Sequence, residues 1–332
     1  MGDRFPAEGA KVRAELFNLS PVSVVSLIGS ALIVTAACSP TSRVLGSYYE
    51  EAQGGEGALG GQAGNAGNSG NFPKFASAVV IESLQVSGST TTDPSVTGDG
   101  LELFFMSTRS GNKNIWHSIR SKVSSVWEEP ELVSELSTDS TESNLKISDD
   151  GLDLWFFSDR DRSLGTIWRA TRTTRTSTFS IPEVVPETLD EGSSEVSACP
   201  STGETFAITS ANIDGKTNGY DLLGMSRNDS FSRFGEKQVL NNVNSSEDDF
   251  DPWLSVDGLG LVFHSNRNGT DDLFFASRSK LSDDFSTPSP IFELNTNSFR
   301  EAAPTLTRTK DRLLFASNRD GDEQLYEAVA QE

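Results

Sequence analysis

Apolar residues in this chain come in short dense runs separated by polar turns, and no stretch beyond residue 72 keeps a helical period. The runs recur. Five segments superpose, beginning with DPSVTGDGLELFFMSTRSGNKNIWHSIR (93–120) and NLKISDDGLDLWFFSDRDRSLGTIWRATR (144–172), and continuing at 196–227, 251–278 and 303–330. A Ser after the central apolar run sets the register at Ser107, Ser158, Ser210, Ser265 and Ser317, with spacings of 51, 52, 55 and 52. A period of this length marks a repeat architecture in which no single unit can bury its own apolar face.

Each repeat reads as strands. A short first strand ends in an Asp-Gly turn at Asp99-Gly100, Asp150-Gly151 and Asp257-Gly258, a dipeptide that tolerates the positive φ of tight hairpins. Thr202-Gly203 and Lys310-Asp311 stand there in the third and fifth repeats. An apolar strand follows (Leu103–Met106, Leu154–Phe157, Leu261–Phe263), dense enough to predict burial on both faces. After a polar turn comes a third strand around Ile115-Trp116, Ile167-Trp168, Leu222-Leu223, Leu273-Phe274 and Leu325-Tyr326. A fourth, led by an aromatic, lies between repeats at Trp127, Phe179, Phe234 and Phe285, with a copy at Phe75 ahead of the first repeat. The last repeat lacks a fourth strand of its own. Radial closure removes the mismatch: residues 75–84 complete the unit begun by 303–330, and no sheet edge is left open. The expected fold is all-β, a five-bladed β-propeller of four-stranded antiparallel blades closed by its N-terminal strand.

The order of Asp/Glu, Pro, Leu-Ser, Asp-Gly, apolar strand and Ser-Asn/Asp-Arg resembles the WD40-like, TolB-type propeller repeat of bacterial envelope proteins. It covers residues 75–330, strongly in repeats one, two and four. In the third, Ala211-Asn212 replaces Asn/Asp-Arg. The resemblance implies a propeller that binds or scaffolds, commonly without enzymatic activity, and implies no particular ligand.

The N-terminal segment is of another kind. Residues 16–37 carry no charge and end in Thr35-Ala36-Ala37-Cys38-Ser39. This resembles a bacterial lipoprotein signal (1–37), which implies cleavage before Cys38, lipid modification of Cys38 and, with Ser39 following, the outer membrane over the inner. A membrane-spanning anchor and an ordinary secretory signal stay open as alternatives. Residues 39–71 carry Gly at eight positions between 54 and 70 and read as a flexible tether, making 38–71 one lipid-and-linker segment ahead of a head at 72–332.

Composition narrows the function. With 27 Lys and Arg against 48 Asp and Glu the formal charge is −21, a surface that repels phosphate backbones, so nucleic acid is not an expected partner. Two Cys and two His leave no disulfide framework and little for zinc or a nucleophilic triad. With Cys38 modified, Cys199 has no partner and reads as a small apolar residue of a strand. His117 and His264 read as strand residues.

Three sets carry candidate chemistry. Arg109, Arg160, Arg267 and Arg319, each two residues after its register Ser, could grip anions as a ring; because they repeat with the blades, they read as structural latches. The acids before the first strand, Asp93, Glu142, Glu195, Asp249 with Asp251, and Glu301, are candidates for the mouth of the central channel. Glycoside hydrolysis needs an acid paired with a base or nucleophile at defined separation, whereas repeated acids also suit hydrogen bonds to turn amides. The oxygen-rich loops 266–272 and 318–323 are calcium candidates, though Asn-x-Asn-Gly is also ordinary turn chemistry. No other metal or cofactor is expected. The leading reading is a non-enzymatic, lipid-anchored envelope propeller that binds a protein, peptide or glycan at one face; the second is a carbohydrate-active hydrolase using channel-mouth carboxylates.

Overall fold

The structure is a computed structural model. It describes residues 72–161, 165–186, 194–201, 205–212, 219–229 and 232–331, together with the backbone of a strand pair, Ser26–Ile28 (β1) against Ala31–Ile33 (β2). The chain divides into two compact units, Met1–Gly64 and Asn65–Glu332. Apart from β1 and β2, the expected leader lies outside the described residues, as do Cys38 and the Gly-rich tether. No helix among the described residues is long and apolar enough to cross a membrane.

The second unit is a ring of five four-stranded antiparallel sheets. The first blade comprises Thr91–Val96 (β4), Glu102–Ser107 (β5), Asn114–Ile119 (β6) and Glu131–Leu132 (β7). The second has Glu142–Ile147 (β8), Asp153–Ser158 (β9), Thr166–Thr171 (β10) and Glu183–Val184 (β11), and the third Ser194–Pro200 (β12), Phe206–Asn212 (β13), Asp221–Ser226 (β14) and Gln238–Val239 (β15). The fourth has Asp249–Leu254 (β16), Gly260–Ser265 (β17), Asp272–Ser277 (β18) and Ser289–Pro290 (β19). The fifth joins Glu301–Leu306 (β20), Arg312–Ser317 (β21) and Gln324–Val329 (β22) to the N-terminal Val79–Val80 (β3). The inner strands β4, β8, β12, β16 and β20 touch in cyclic order and so surround the axis.

The closure expected from the repeat count is present. Tyr326 and Glu327 pair with Val80 and Val79, and Phe75 bridges Ala330. The strand is shorter than the run 75–84 suggested: Glu82–Leu84 winds into a 3-10 turn that buries Leu84. Across the next seam Arg120 of the first blade donates Nη1 and Nη2 to the two carboxylate oxygens of Glu327 of the fifth, at 3.1 and 3.0 Å.

The core lies between blades. Ile115 and Phe104 of the first blade pack on Leu145, Leu154, Phe156 and Trp168 of the second, which is why both faces of each second strand are apolar. On the hairpin side, Gly100, Gly151 and Gly258 adopt φ of 71°, 75° and 69°, as the Asp-Gly turns require. The equivalent residue in the fifth blade is Lys310 (φ 59°). The counterpart of Asp-Gly is therefore Thr309-Lys310, one residue earlier than the Lys310-Asp311 expected from the sequence.

The third blade also corrects the register. Ala211 pairs with Glu195 and Asp221 just as Ser265 pairs with Asp249 and Asp272. Ala211, not Ser210, holds the register position, and the Arg position falls on Ile213, outside the described residues. Ser210 instead meets Ser197 at 2.8 Å.

Candidate functional site

The carboxylates expected at the channel mouth do not form one ring. They fall into two tiers, two residues apart along the inner strands. Glu142, Asp249 and Glu301 pair with the register Ser of their own blades. Glu195 occupies the same backbone position, its side chain lying outside the described residues, and Thr91 replaces the acid in the first blade.

This outer tier is consumed internally. Fully buried Glu142 accepts from Ser158 Oγ at 3.1 Å, Arg160 Nη2 at 3.2 Å, Thr138 Oγ1 at 2.6 Å and the Thr138 N–H at 3.0 Å. Glu301 repeats the arrangement with Ser317, Arg319 and Thr296, and Asp249 with Arg267 and Ser245. Each Arg also donates to its register Ser and to a carbonyl of the preceding outer connection: Leu84 for Arg109, Leu136 for Arg160, Val243 for Arg267 and Leu294 for Arg319. Each guanidinium lies over aromatic rings, such as Trp116 for Arg109 at 5.0 Å and Phe274 for Arg267 at 4.7 Å. The four arginines tie blade to blade and are not free for an external anion.

A second arginine set escaped the sequence reading. Arg120, Arg172 and Arg278 end the third strands and donate Nε to the carbonyls of Gly100, Gly151 and Gly258 at 2.6–2.8 Å. With Arg227 they stack over the aromatic leaders Trp127, Phe179, Phe234 and Phe285 at 4.0–4.8 Å. The signal was available: each of these arginines precedes its aromatic by seven residues. The leaders are thus capped core residues rather than strand residues.

The inner tier holds Asp93, Asn144, Ser197, Asp251 and Ala303, at bulges where the inner strands slip register. Asp93, Asn144, Asp251 and Ala303 sit at φ of 48–53°, a left-handed conformation that Asp and Asn tolerate best among residues with a Cβ. Two of the five are acids, so charge breaks the repeat here. Asp93 Oδ2 accepts the Asn144 N–H of the next blade at 2.8 Å. In the fourth blade His264 takes over that role: its Nδ1 accepts the Ala303 N–H at 3.3 Å. The same nitrogen lies 3.6 Å from Asp251 Oδ2, and Asp251 Oδ1 has no hydrogen-bond partner. Burial first, and then the Asp93 charge, push the Asp251 carboxyl up to about 6, against the opposing pull of Lys146 and Arg300. Burial holds His264 well below its ordinary value, so the ring is neutral.

One step further along the axis a tier of Ser95, Lys146, Cys199, Trp253 and Thr305 stitches the blades together. Ile147 N–H donates to Ser95 Oγ at 2.8 Å, Val96 N–H to Thr305 Oγ1 at 3.3 Å and Leu254 N–H to Cys199 Sγ at 3.3 Å. Two seams are exceptions: between the second and third blades Lys146 offers no acceptor and the facing position is Pro200, which has no N–H, and between the fourth and fifth Trp253 offers no acceptor to the Leu306 N–H. Burial raises the Cys199 thiol pKa.

Above the mouth, Arg300 Nε reaches Asp271 Oδ2 at 2.6 Å and its Nη1 pairs with Glu323. The calcium-candidate loops spend most of their oxygens internally: Asn266 and Asn318 Oδ1 accept backbone N–H groups, Asp320 accepts from Tyr326 and Asp272 Oδ2 accepts from Asn268, while Asp272 Oδ1 has no partner. Among the described residues no group of three His, Cys, Asp or Glu is placed to hold a metal ion. His117 stacks on Phe104, and burial lowers its pKa to about 4. On the same face a shallow groove of about 810 Å³ runs between the first two blades, lined by Lys113, Asp139, Asp159 and Asp161 among others.

No protein-family model matches the chain, and no curated protein matches it. Solved structures do. A TolB of Agrobacterium tumefaciens is 16% identical, over 72% of this chain and 76% of that one, with a TM-score of 0.44. An α-L-arabinofuranosidase of Podospora anserina in complex with cellotriose is 9% identical, over 79% and 98%, with a TM-score of 0.57. The catalytic domain of a GH62 α-L-arabinofuranosidase of Coprinopsis cinerea is 12% identical, over 78% and 97%, with a TM-score of 0.57. At these identities the likeness is one of fold alone, and the chain is a five-bladed β-propeller.

Proposed function

We propose that this chain is a non-enzymatic propeller of the bacterial envelope, held to the outer membrane through a lipid on Cys38, that binds a protein, peptide or glycan at the face where the inner strands begin. The observation that carries the reading is the fate of the outer-tier acids. Glu142, Asp249 and Glu301 have their oxygens taken by arginines of their own blades and by the hydroxyls and turn amides of the connections that lead into them, which leaves little of the repeated carboxylate set for chemistry. The acidic groove beside Asp159 and Asp161 offers a contact surface on the same face.

A hydrolase reading keeps one observation in its favour. Asp93 and Asp251 are confined to two blades, and an acid raised to about 6 beside a second carboxylate is the pattern of a general acid. A hydrolysis assay on arabinan and xylan oligosaccharides separates the two. The binding reading expects no turnover; turnover abolished by Asp251→Asn or Asp93→Asn in a folded protein replaces it with the hydrolase. For the anchor, Cys38→Ser is expected to abolish incorporation of labelled palmitate and release the chain from membranes. Retention of the variant on membranes without label points instead to a spanning segment.

A further inference from the structure

We propose that the axial end of the inner tier recognises a primary alkyl ammonium group, received between Asp251 and Asp93. The inference deepens the binding reading above and rests on it.

Four observations carry it. Asp251 has a side chain 8% exposed, yet its Oδ1 meets no donor. A carboxylate oxygen buried without a partner is costly, so a donor brought to it by a ligand gains more than one brought to an oxygen already satisfied. The other carboxylate oxygen faces His264 Nδ1, which is already an acceptor and donates nothing to it, so the Ser197 hydroxyl, itself shared with Ser210, is the one side-chain donor that acts on this carboxylate among the described residues. The charges around the mouth do not cancel: Asp93, Asp251, Asp271 and Glu323 stand against Lys146 and Arg300, with His264 neutral. Finally, among the described residues Lys146 makes no ion pair, so it does not satisfy Asp251 directly.

The geometry selects the ligand. A divalent cation needs six or more oxygens, and the site offers two carboxylates with no metal-holding group among the described residues. A guanidinium seeks both oxygens of one carboxylate in a planar fork, whereas Oδ2 of Asp251 is shadowed by the imidazole. A compact point charge with three rotatable donors matches one free oxygen on Asp251 and a neighbouring carboxylate. A hydroxyl would supply a donor but leave the charge excess unmatched.

Calorimetric titration of the full chain tests this with butylammonium, with Nα-acetyl-lysine methylamide, and with n-butanol as the neutral analogue. Saturable binding of at least one ammonium, and none of butanol, is expected. Binding of both assigns the site to any alkyl ammonium; binding of the lysine derivative alone assigns it to lysine side chains of a polypeptide, and of butylammonium alone to free amines. Protonation of Asp251 competes with the ligand, so affinity is expected to fall about tenfold from pH 7.5 to pH 5. Asp251→Asn should weaken binding at least tenfold, with thermal melting checking that it folds. Asp93→Asn serves as the second variant, expected to weaken binding in the same direction, and Glu131→Gln, on the exposed outer strand of the first blade, should change nothing. Equal binding of butanol, undiminished binding by both Asp251→Asn and Asp93→Asn, or no saturable binding overturns the proposal. The hydrolysis assay is separate, so failure here leaves the non-enzymatic reading standing.

Discussion

Two sets of carboxylates lie two residues apart on the same strands and live in different chemical worlds. At the outer position Glu142, Asp249 and Glu301 are wholly buried and saturated by an arginine, a serine and a turn amide. At the inner position Asp251 is almost as buried and has an oxygen with no donor at all. Repetition separates them. A residue needed to join one blade to the next appears in nearly every blade, while an unsatisfied one appears where symmetry is broken. Burial alone would not have told the two apart.

The contrast can be broken most forcefully at the outer tier. Glu142→Ala strips Arg160 of its carboxylate inside the protein and should cost about 3–5 kcal/mol in denaturant unfolding, as expected for a buried pair with one partner removed. A loss below about 1 kcal/mol would mean that the latches do not hold the blades together. Next in size, Arg172→Ala removes the contacts to Glu102, the Gly151 carbonyl and the Phe179 ring and should cost roughly 2–3 kcal/mol.

At the inner tier the sign reverses. Because the folded-state pKa of Asp251 lies above its ordinary value, ionising it opposes folding. The stability it contributes is complete below about 4 and is lost as pH rises through about 6. Asp251→Asn should therefore raise stability by roughly 1–3 kcal/mol at pH 8 relative to its effect at pH 4. A variant equally destabilised at both pH values would show that Asp251 is a structural ligand like Glu142. The smallest effect belongs to the surface: Arg308→Ala, which removes an exposed bridge to Asp149, should change the melting midpoint by the equivalent of about 1 kcal/mol or less.

Much of this molecule could be read before its coordinates. Five apolar runs, Asp-Gly turns and a displaced first outer strand were enough for the blade count and the closure between Val79–Val80 and Gln324–Val329. The errors share a physical origin. Ser210 looked like a register marker because Ser is the marker elsewhere, but in the third blade the pairing of β12 with β13 puts Ala211 there. Lys310-Asp311 was matched to Asp-Gly by composition, although the turn demands its positive φ one residue earlier than the Asp. The two tiers of acids were not separable either. Asp249 and Asp251 flank one residue of a strand, and only the bulge between Phe250 and Trp253 sends their carboxylates to different neighbours. A vacancy in hydrogen bonding, such as that of Asp251, is a property of the fold and leaves no mark on composition.

The seam between the second and third blades has an implication for how such a ring can change over time. At the three stitched seams, first to second, third to fourth and fifth to first, one blade offers a lone pair and the next an N–H, so a junction is split between two blades. Lys146 opposite Pro200 abolishes both halves at once. Replacing Pro200 alone would present a donor to an ammonium; replacing Lys146 with Ser alone would present an acceptor to a proline ring. A blade duplicated or transplanted whole would carry each half-junction to a border that lacks its complement. The heritable module of this propeller is therefore the junction, not the blade.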